Sequence, residues 1–183
     1  MFLLYAVGLG LIVGYLLKGR LSRLAFLKLR FMWLILVALL IQFAIFPLFS
    51  NRPLFPYATQ PLHLLSYGLA FLFIVLNYRM FPLWIIGSGA ALNLLVITVN
   101  GGYMPCSADA LAHAGVREAA VDLVRYGMHG NTVLMGETTR FNALGDLLCI
   151  PRGIPFATVL SAGDLIIALG IVWLIVKGMT ARV

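Results

Sequence analysis

Charge is scarce in this sequence. Of its 183 residues only 10% are Asp, Glu, Lys or Arg, while 62% are apolar, and the mean hydropathy is +1.03. A soluble domain carries about 25% charged residues. So few polar side chains cannot cover a surface that faces water, whereas lipid would solvate an apolar exterior. Cysteine is nearly absent, with Cys106 and Cys149 alone, and no Cys-x-x-Cys pair supports dithiol redox chemistry. No Gly-rich phosphate loop, Ser-x-x-Lys or Gly-x-Ser-x-Gly pattern occurs. His113 and His129, with Asp109 or Asp122, lack compact ligand spacing, so neither a metal nor a cofactor is expected. No basic stretch precedes the apolar start, so the first segment reads as a retained anchor and not a secretory signal. There is no internal repeat and no low-complexity tract.

What is present is a set of long apolar runs. A helix needs about 20 residues to cross a bilayer core of ~30 Å. Five segments approach that length: 1–17, 31–49, 62–78, 82–99 and 158–176. The expected fold is therefore all-α, a polytopic bundle of about five spans, forming one membrane domain over residues 1–183. Gly8, Gly10 and Gly14 in the first span, and Gly87, Gly89, Ala90 and Ala91 in the fourth, are small enough to admit a neighbouring helix.

The net charge of +7 has a topological explanation. Lys18, Arg20, Arg23, Lys28 and Arg30 follow the first span with no acid among them, which places that loop in the cytoplasm. Alternation then puts the N-terminus outside, the Arg79 turn inside, the segment 100–157 outside, and Lys177 and Arg182 inside. Trp33, Trp84 and Trp173 fall near the inner ends, as an aromatic belt does. The expected location is the plasma membrane, with the bilayer as partner and no role for nucleic acid. The basic loop is also suited to anionic lipid. Pro47, Pro53, Pro56 and Pro61 stiffen the first external loop, which holds Arg52. His63 opens the third span as an interfacial or packed histidine.

The external segment is too long to be structureless. Val116–Tyr126 is amphipathic, with Arg117, Glu118, Asp122 and Arg125 on one side and Val116, Ala120, Leu123 and Val124 on the other. It suits either a plain cover over the bundle or a lid spanning residues 107–129. Ser107 is placed to cap a turn, and Gly115 and Gly127 to end helical pieces. Asn100-Gly101-Gly102-Tyr103-Met104-Pro105 leaves the fourth span either as a simple turn or as a tight loop aiming Asn100 and bare amides at a site. Cys106 and Cys149, both on the outer side, can oxidise to one disulfide there or remain separate.

Two acids carry the chemistry. Asp164 lies about six residues into the fifth span, where a charge is costly and usually marks a functional path. The structural alternative is an acid bound to a partner such as Asn93 or Arg140. Asp146 stands 18 residues earlier among apolar neighbours, at the outer membrane edge. If the intervening stretch leaves and returns, the two carboxyls meet. Close carboxyls share a proton, so one activates water while the other donates to a carbonyl oxygen.

Gly145-Asp146 followed by Ser161-Ala162-Gly163-Asp164 resembles the paired motifs of the lipoprotein signal peptidases, which are membrane aspartic peptidases. Asn100-Gly101-Gly102-Tyr103 faintly resembles that family's external element. The resemblance implies Asp146 and Asp164 as a catalytic dyad, with Asn100, Gly101, Gly102 and Ser161 supporting or binding, and a membrane-borne or lipidated peptide as substrate. Ser161 and Gly163 replace the family's Asn and Ala, and the family's Asp-Arg pair has no counterpart in residues 82–99. The C-terminal half is more similar to an uncharacterised family of small bacterial membrane proteins, through Asn100–Pro105, Leu144-Gly145-Asp146 with Pro151, and Ser161–Asp164. The alternative to the enzyme is a non-enzymatic membrane protein, a small transporter or a partner-binding subunit.

Overall fold

The computed structural model describes residues 2–45 and 59–181. Pro47, Arg52, Pro53, Pro56 and the end of the expected second span lie outside the described residues. Five longer helices run between two ends of the molecule: α1 (Leu3–Leu16), α2 (Met32–Ile45), α3 (Thr59–Leu76), α4 (Phe81–Val99) and α7 (Ala162–Thr180). Among the described residues, α4 and α7 are long and apolar enough to cross a membrane, at 19 residues each, and the other three are shorter apolar helices. Pro61, expected in the loop, sits in the first turn of α3, where its missing N–H leaves no bond unmade.

The helices pack as a series, α1 on α7, α7 on α4, α4 on α3 and α3 on α2. Glycine sets the closest approaches. A Cβ on Gly163 of α7 would run into Asn93 Oδ1 of α4 and lie 2.7 Å from the Gly89 carbonyl oxygen. Gly10 and Gly14 of α1 meet Ile175 and Met179 of α7, and Gly87 meets Ile74 of α3. Gly8, expected to join this packing, has nothing within 4 Å of where its Cβ would be.

One end of the bundle is basic. Residues Leu21–Phe26 form a 3-10 helix laid against the end of α7, where Arg20 N donates to the Met179 carbonyl (2.9 Å). Buried Asn77, just beyond α3, accepts from Arg30 N (2.7 Å) and donates to the Arg30 carbonyl (2.9 Å). Lys18 to Arg30, Arg79 and Lys177 thus share one end. All six acids of the chain, from Asp109 to Asp164, belong to the opposite end.

At that opposite end the all-α expectation is corrected. The segment after α4 contains two short helices, α5 (Ala108–His113) and α6 (Arg117–Tyr126), but also strands. β1 (Met104–Cys106) pairs parallel with β3 (Thr132–Leu134), which pairs antiparallel with β2 (Met128–His129). β4 (Leu148–Cys149) pairs antiparallel with β5 (Val159–Leu160). Strands of two or three residues are too short to show the alternation that reveals a strand in sequence. Ser107 caps α5 by accepting from Ala110 N (3.2 Å), and Gly127 ends α6 in a left-handed conformation (φ 75°). The buried stripe of α6 is Ala119, Ala120 and Leu123, packed on Cys106 and Leu111. Val124, expected on that stripe, is 63% exposed, because the face centres on Ala119 and Leu123.

The start of α7 also differs from expectation. Residues 158–160 belong to the β5 strand region, and the helix begins only after Ser161. Asp164 is therefore in the first turn of α7, not six residues inside a span. The physical reason is a capping box, in which Ser161 Oγ accepts from Asp164 N (3.1 Å) and Asp164 Oδ2 accepts from Ser161 N (3.0 Å).

Candidate acid pair at the capped end

A hairpin sets Asp146 near the start of α7, within the field of the Asp164 charge. β4 and β5 run antiparallel with Leu148 opposite Leu160 and Cys149 opposite Val159, and Ile150 N donates to the Thr158 carbonyl (2.8 Å). The excursion between them is closed at its base, so Asp146, two residues before β4, lies alongside the start of α7. Asp146 is fixed on its other side by β1. Its N–H donates to the Pro105 carbonyl (2.8 Å) and its carbonyl accepts from Ser107 N (3.0 Å). Gly145 permits this, since a Cβ there would run into the Pro105 oxygen.

The two carboxyls differ in what holds them. Asp164 Oδ1 accepts from Asn93 Nδ2 (2.9 Å), while Oδ2 accepts from Ser161 N. Ser161, fully buried, donates from Oγ to Asn93 Oδ1 (2.9 Å), which with the capping bonds closes a ring of three residues between α4 and α7. Of the two structural partners anticipated for Asp164, Asn93 is present, while Arg140 makes no ion pair with it. Among the described residues, the Asp146 carboxyl accepts no hydrogen bond. Burial, and secondarily the charge of Asp164, push its pKa from the ordinary 3.8 up to about 7.

Cys106 borders Asp146 through a β-bridge and is fully buried. Burial first, then the Asp146 charge, push its thiol up to about 12, so it is a poor nucleophile at neutral pH. Cys106 and Cys149 are both free, so the disulfide weighed from the sequence is not formed in this structure. In the folded protein a maleimide is expected to label the half-buried Cys149 and spare Cys106, with both labelled after denaturation. Labelling of neither until a reductant is added would overturn this and establish a disulfide.

Asn100 does not face the acids. Its amide donates to the carbonyls of Val96 (2.8 Å) and Arg140 (2.9 Å), and its Oδ1 accepts from Arg140 N (2.8 Å). It staples residue 140 to the end of α4. Gly101 (φ 70°) and Gly102 (φ 96°) make a turn packed by Gln60 of α3, whose Nε2 donates to the Gly101 carbonyl (2.7 Å). This is the simple-turn alternative for the Asn-Gly-Gly element.

A second polar group lies at the same depth. α3 and α4 are antiparallel, with Ile74 beside Gly87 and Gln60 beside Gly102, so Tyr67 is level with Asn93. Tyr67 stands within the field of the Asp164 charge and stacks edge-on with His63. Gln42 of α2 donates to Ser66 Oγ (2.6 Å) and approaches His63 Nδ1 (3.3 Å). Composition gave no signal for Tyr67. Asn93 had one, as a lone amide in an apolar run. His113 and His129 are apart from this region, each held locally, by the Asp109 carbonyl (2.7 Å) and by Asp122 Oδ2 (3.2 Å). Among the described residues, no three His, Cys, Asp or Glu side chains gather to hold a metal. Two surface concavities flank α6 at Arg117, Glu118 and Arg152, and neither is lined by Asp146 or Asp164.

The pieces that converge here, Gly145-Asp146, Ser161 to Asp164 and the Asn93 ring, lie within one continuous match to a known family. The chain belongs to the family of unknown function DUF5317, whose sequence model covers residues 26–176. The match takes in the helices that build the acid pair and leaves α1 outside it. No curated protein and no solved structure matches the chain. The likeness to lipoprotein signal peptidases therefore rests on short motifs of the sequence, chiefly the paired acids.

Proposed function

We propose that the chain crosses the plasma membrane with five helices, N-terminus outside and C-terminus in the cytoplasm, and that Asp146 and Asp164 form an acid–base pair that hydrolyses a membrane-borne peptide at the outer face. The membrane part is supported by exposed large apolar side chains along the helices, such as Leu16, Leu40 and Leu169, and by the separation of basic and acidic ends. α1 has 14 residues, about 21 Å of helix, so flanking apolar residues or local thinning complete its span.

The catalytic part rests on one observation: a carboxyl without hydrogen bonds, raised to about 7, lies in the field of a second carboxylate held rigidly by Asn93 and Ser161. In the reaction the ionised Asp164 removes a proton from water as the water oxygen attacks the peptide carbonyl carbon. Protonated Asp146 gives its proton to the carbonyl oxygen. As the tetrahedral intermediate collapses, Asp164 gives that proton to the leaving nitrogen, the C–N bond breaks, and a diol O–H returns its proton to Asp146, which restores both acids. Each residue is needed, so Asp146→Asn and Asp164→Asn should each reduce cleavage of fluorogenic transmembrane peptides by at least about 100-fold. Wild-type turnover that survives in either variant would sink the dyad.

A second reading has its own support. Asp164 completes a helix cap and all its oxygens are used, which suits a structural acid in a non-enzymatic transporter or partner-binding subunit. In that case no peptide is cleaved. Asp164→Asn then alters only stability or a pH-driven flux in proteoliposomes, with Asp146 dispensable for flux.

A further inference from the structure

We infer that the segment from Lys18 to Arg30 is a preformed binding site for anionic phospholipid headgroups. The inference rests on the membrane reading above and is independent of the acid pair. Lys18, Arg20, Arg23 and Lys28 surround the 3-10 helix at the basic end. Among the described residues, none of them forms an ion pair, and every acid of the chain belongs to the other end of the bundle. Their charges are thus open to an anionic partner outside the protein.

The segment is held in place, unlike a loose charged tail. Arg20 N is bonded to the Met179 carbonyl, Leu24 and Leu27 pack on Gly178, and Arg30 is clamped by Asn77 at both its N–H and its carbonyl. Lys18 (φ 59°) and Phe31 (φ 55°) are both left-handed, so the chain turns sharply at each end of the segment. Between the cations, Leu21 (50%) and Phe26 (62%) project outward. Cations interleaved with exposed apolar side chains match a surface that offers phosphate oxygens beside acyl carbon, which is a lipid headgroup layer. Free phosphate would leave Leu21 and Phe26 in water, and a nucleic acid could stack a base on Phe26 but would leave Leu21 without an acyl partner.

The test uses the purified full chain in detergent, examined by native mass spectrometry with phosphatidylglycerol or phosphatidylcholine added. Phosphatidylglycerol adducts are expected to be retained in preference, and Arg20→Gln/Arg23→Gln/Lys28→Gln should lower that preference by roughly ten-fold or more. Arg117→Gln/Arg125→Gln, at the opposite end, should leave it intact, and Arg20→Lys/Arg23→Lys should keep most of it. Equal retention of the two lipids, an unchanged preference in the triple variant, or displacement of the lipid by inorganic phosphate or a short RNA would overturn the inference. Carbonate extraction of membranes separates the two ideas. Release of the chain into the soluble fraction sinks the membrane reading, whereas a retained chain without lipid preference sinks only the headgroup site.

Discussion

Gly163→Ala is expected to be among the most damaging single changes in this chain, although it adds one methyl group. The new Cβ would occupy the position of Asn93 Oδ1 and crowd the Gly89 carbonyl at 2.7 Å. Backbone lies on one side and the ring of Asn93, Ser161 and Asp164 on the other, so no flexible side chain can give way. α4 and α7 must separate, at about 1–3 kcal/mol for overpacking. Displacing Asn93 leaves buried Ser161 Oγ and one oxygen of Asp164 short of partners, which costs about 1–3 kcal/mol more. At about 2–4 °C per kcal/mol for a chain of this size, the melting temperature should fall by roughly 4–24 °C. Gly8→Ala is the control. Nothing lies within 4 Å of its Cβ position, so it should be neutral or slightly stabilising through helix propensity. Melting followed by tryptophan fluorescence decides this, and a Gly163→Ala protein as stable as wild type would show that α4 and α7 are not locked through Asn93.

The same residues show how much of the site was legible in the sequence. The apolar runs located the long helices, because burial and lipid exposure both demand continuous hydrophobicity. Glycine at 163 has a reason in the fold, since Asn93 arrives from α4 into the space that a Cβ would fill. That contact joins positions 70 residues apart (163 − 93), which no local pattern reveals. Ser161-x-x-Asp164 has the spacing of a capping box, but the apolar run around it masks that signal, so hydropathy sets the acid deeper than the first helical turn it occupies. The hairpin of β4 and β5 has only two residues a side, below the length at which alternation is visible, and the spacing of the acids allows an excursion and return without showing one. Val124 was misplaced because Val and Ala weigh differently in a hydrophobic pattern than in a tightly packed face, where small Ala119 and Ala120 let α6 lie close to Cys106.

Asp146→Asn should make the protein more stable above neutral pH while removing any activity the acid pair supports. The sign follows from the direction of the shift. The folded-state pKa is raised from 3.8 to about 7, so between these values the native state holds a proton that the unfolded chain has released. Asp146 thus contributes stability that is fully present below about pH 4 and is lost as pH rises through about 7. The full shift sets a ceiling of about 4 kcal/mol. Water reaching this partly exposed edge leaves on the order of 1–2 kcal/mol, or about 2–8 °C in melting temperature. Asparagine is uncharged throughout and has nearly the shape of the protonated acid. The variant should therefore match wild type at or below about pH 4, gain on it as pH rises from there toward 7, and keep a constant lead above that. Taking the difference between the two proteins removes the contribution of every other carboxylate. A difference that stays flat from pH 4 to 8 would mean that Asp146 ionises like an exposed acid, and the acid pair would lose its proton donor. A difference that grows as expected would identify Asp146 as a group kept at a cost in stability, which is how functional acids are commonly found. Repeating the series in Asp164→Asn isolates the coupling. Burial remains and the neighbouring charge is gone, so the rise should persist but move to lower pH.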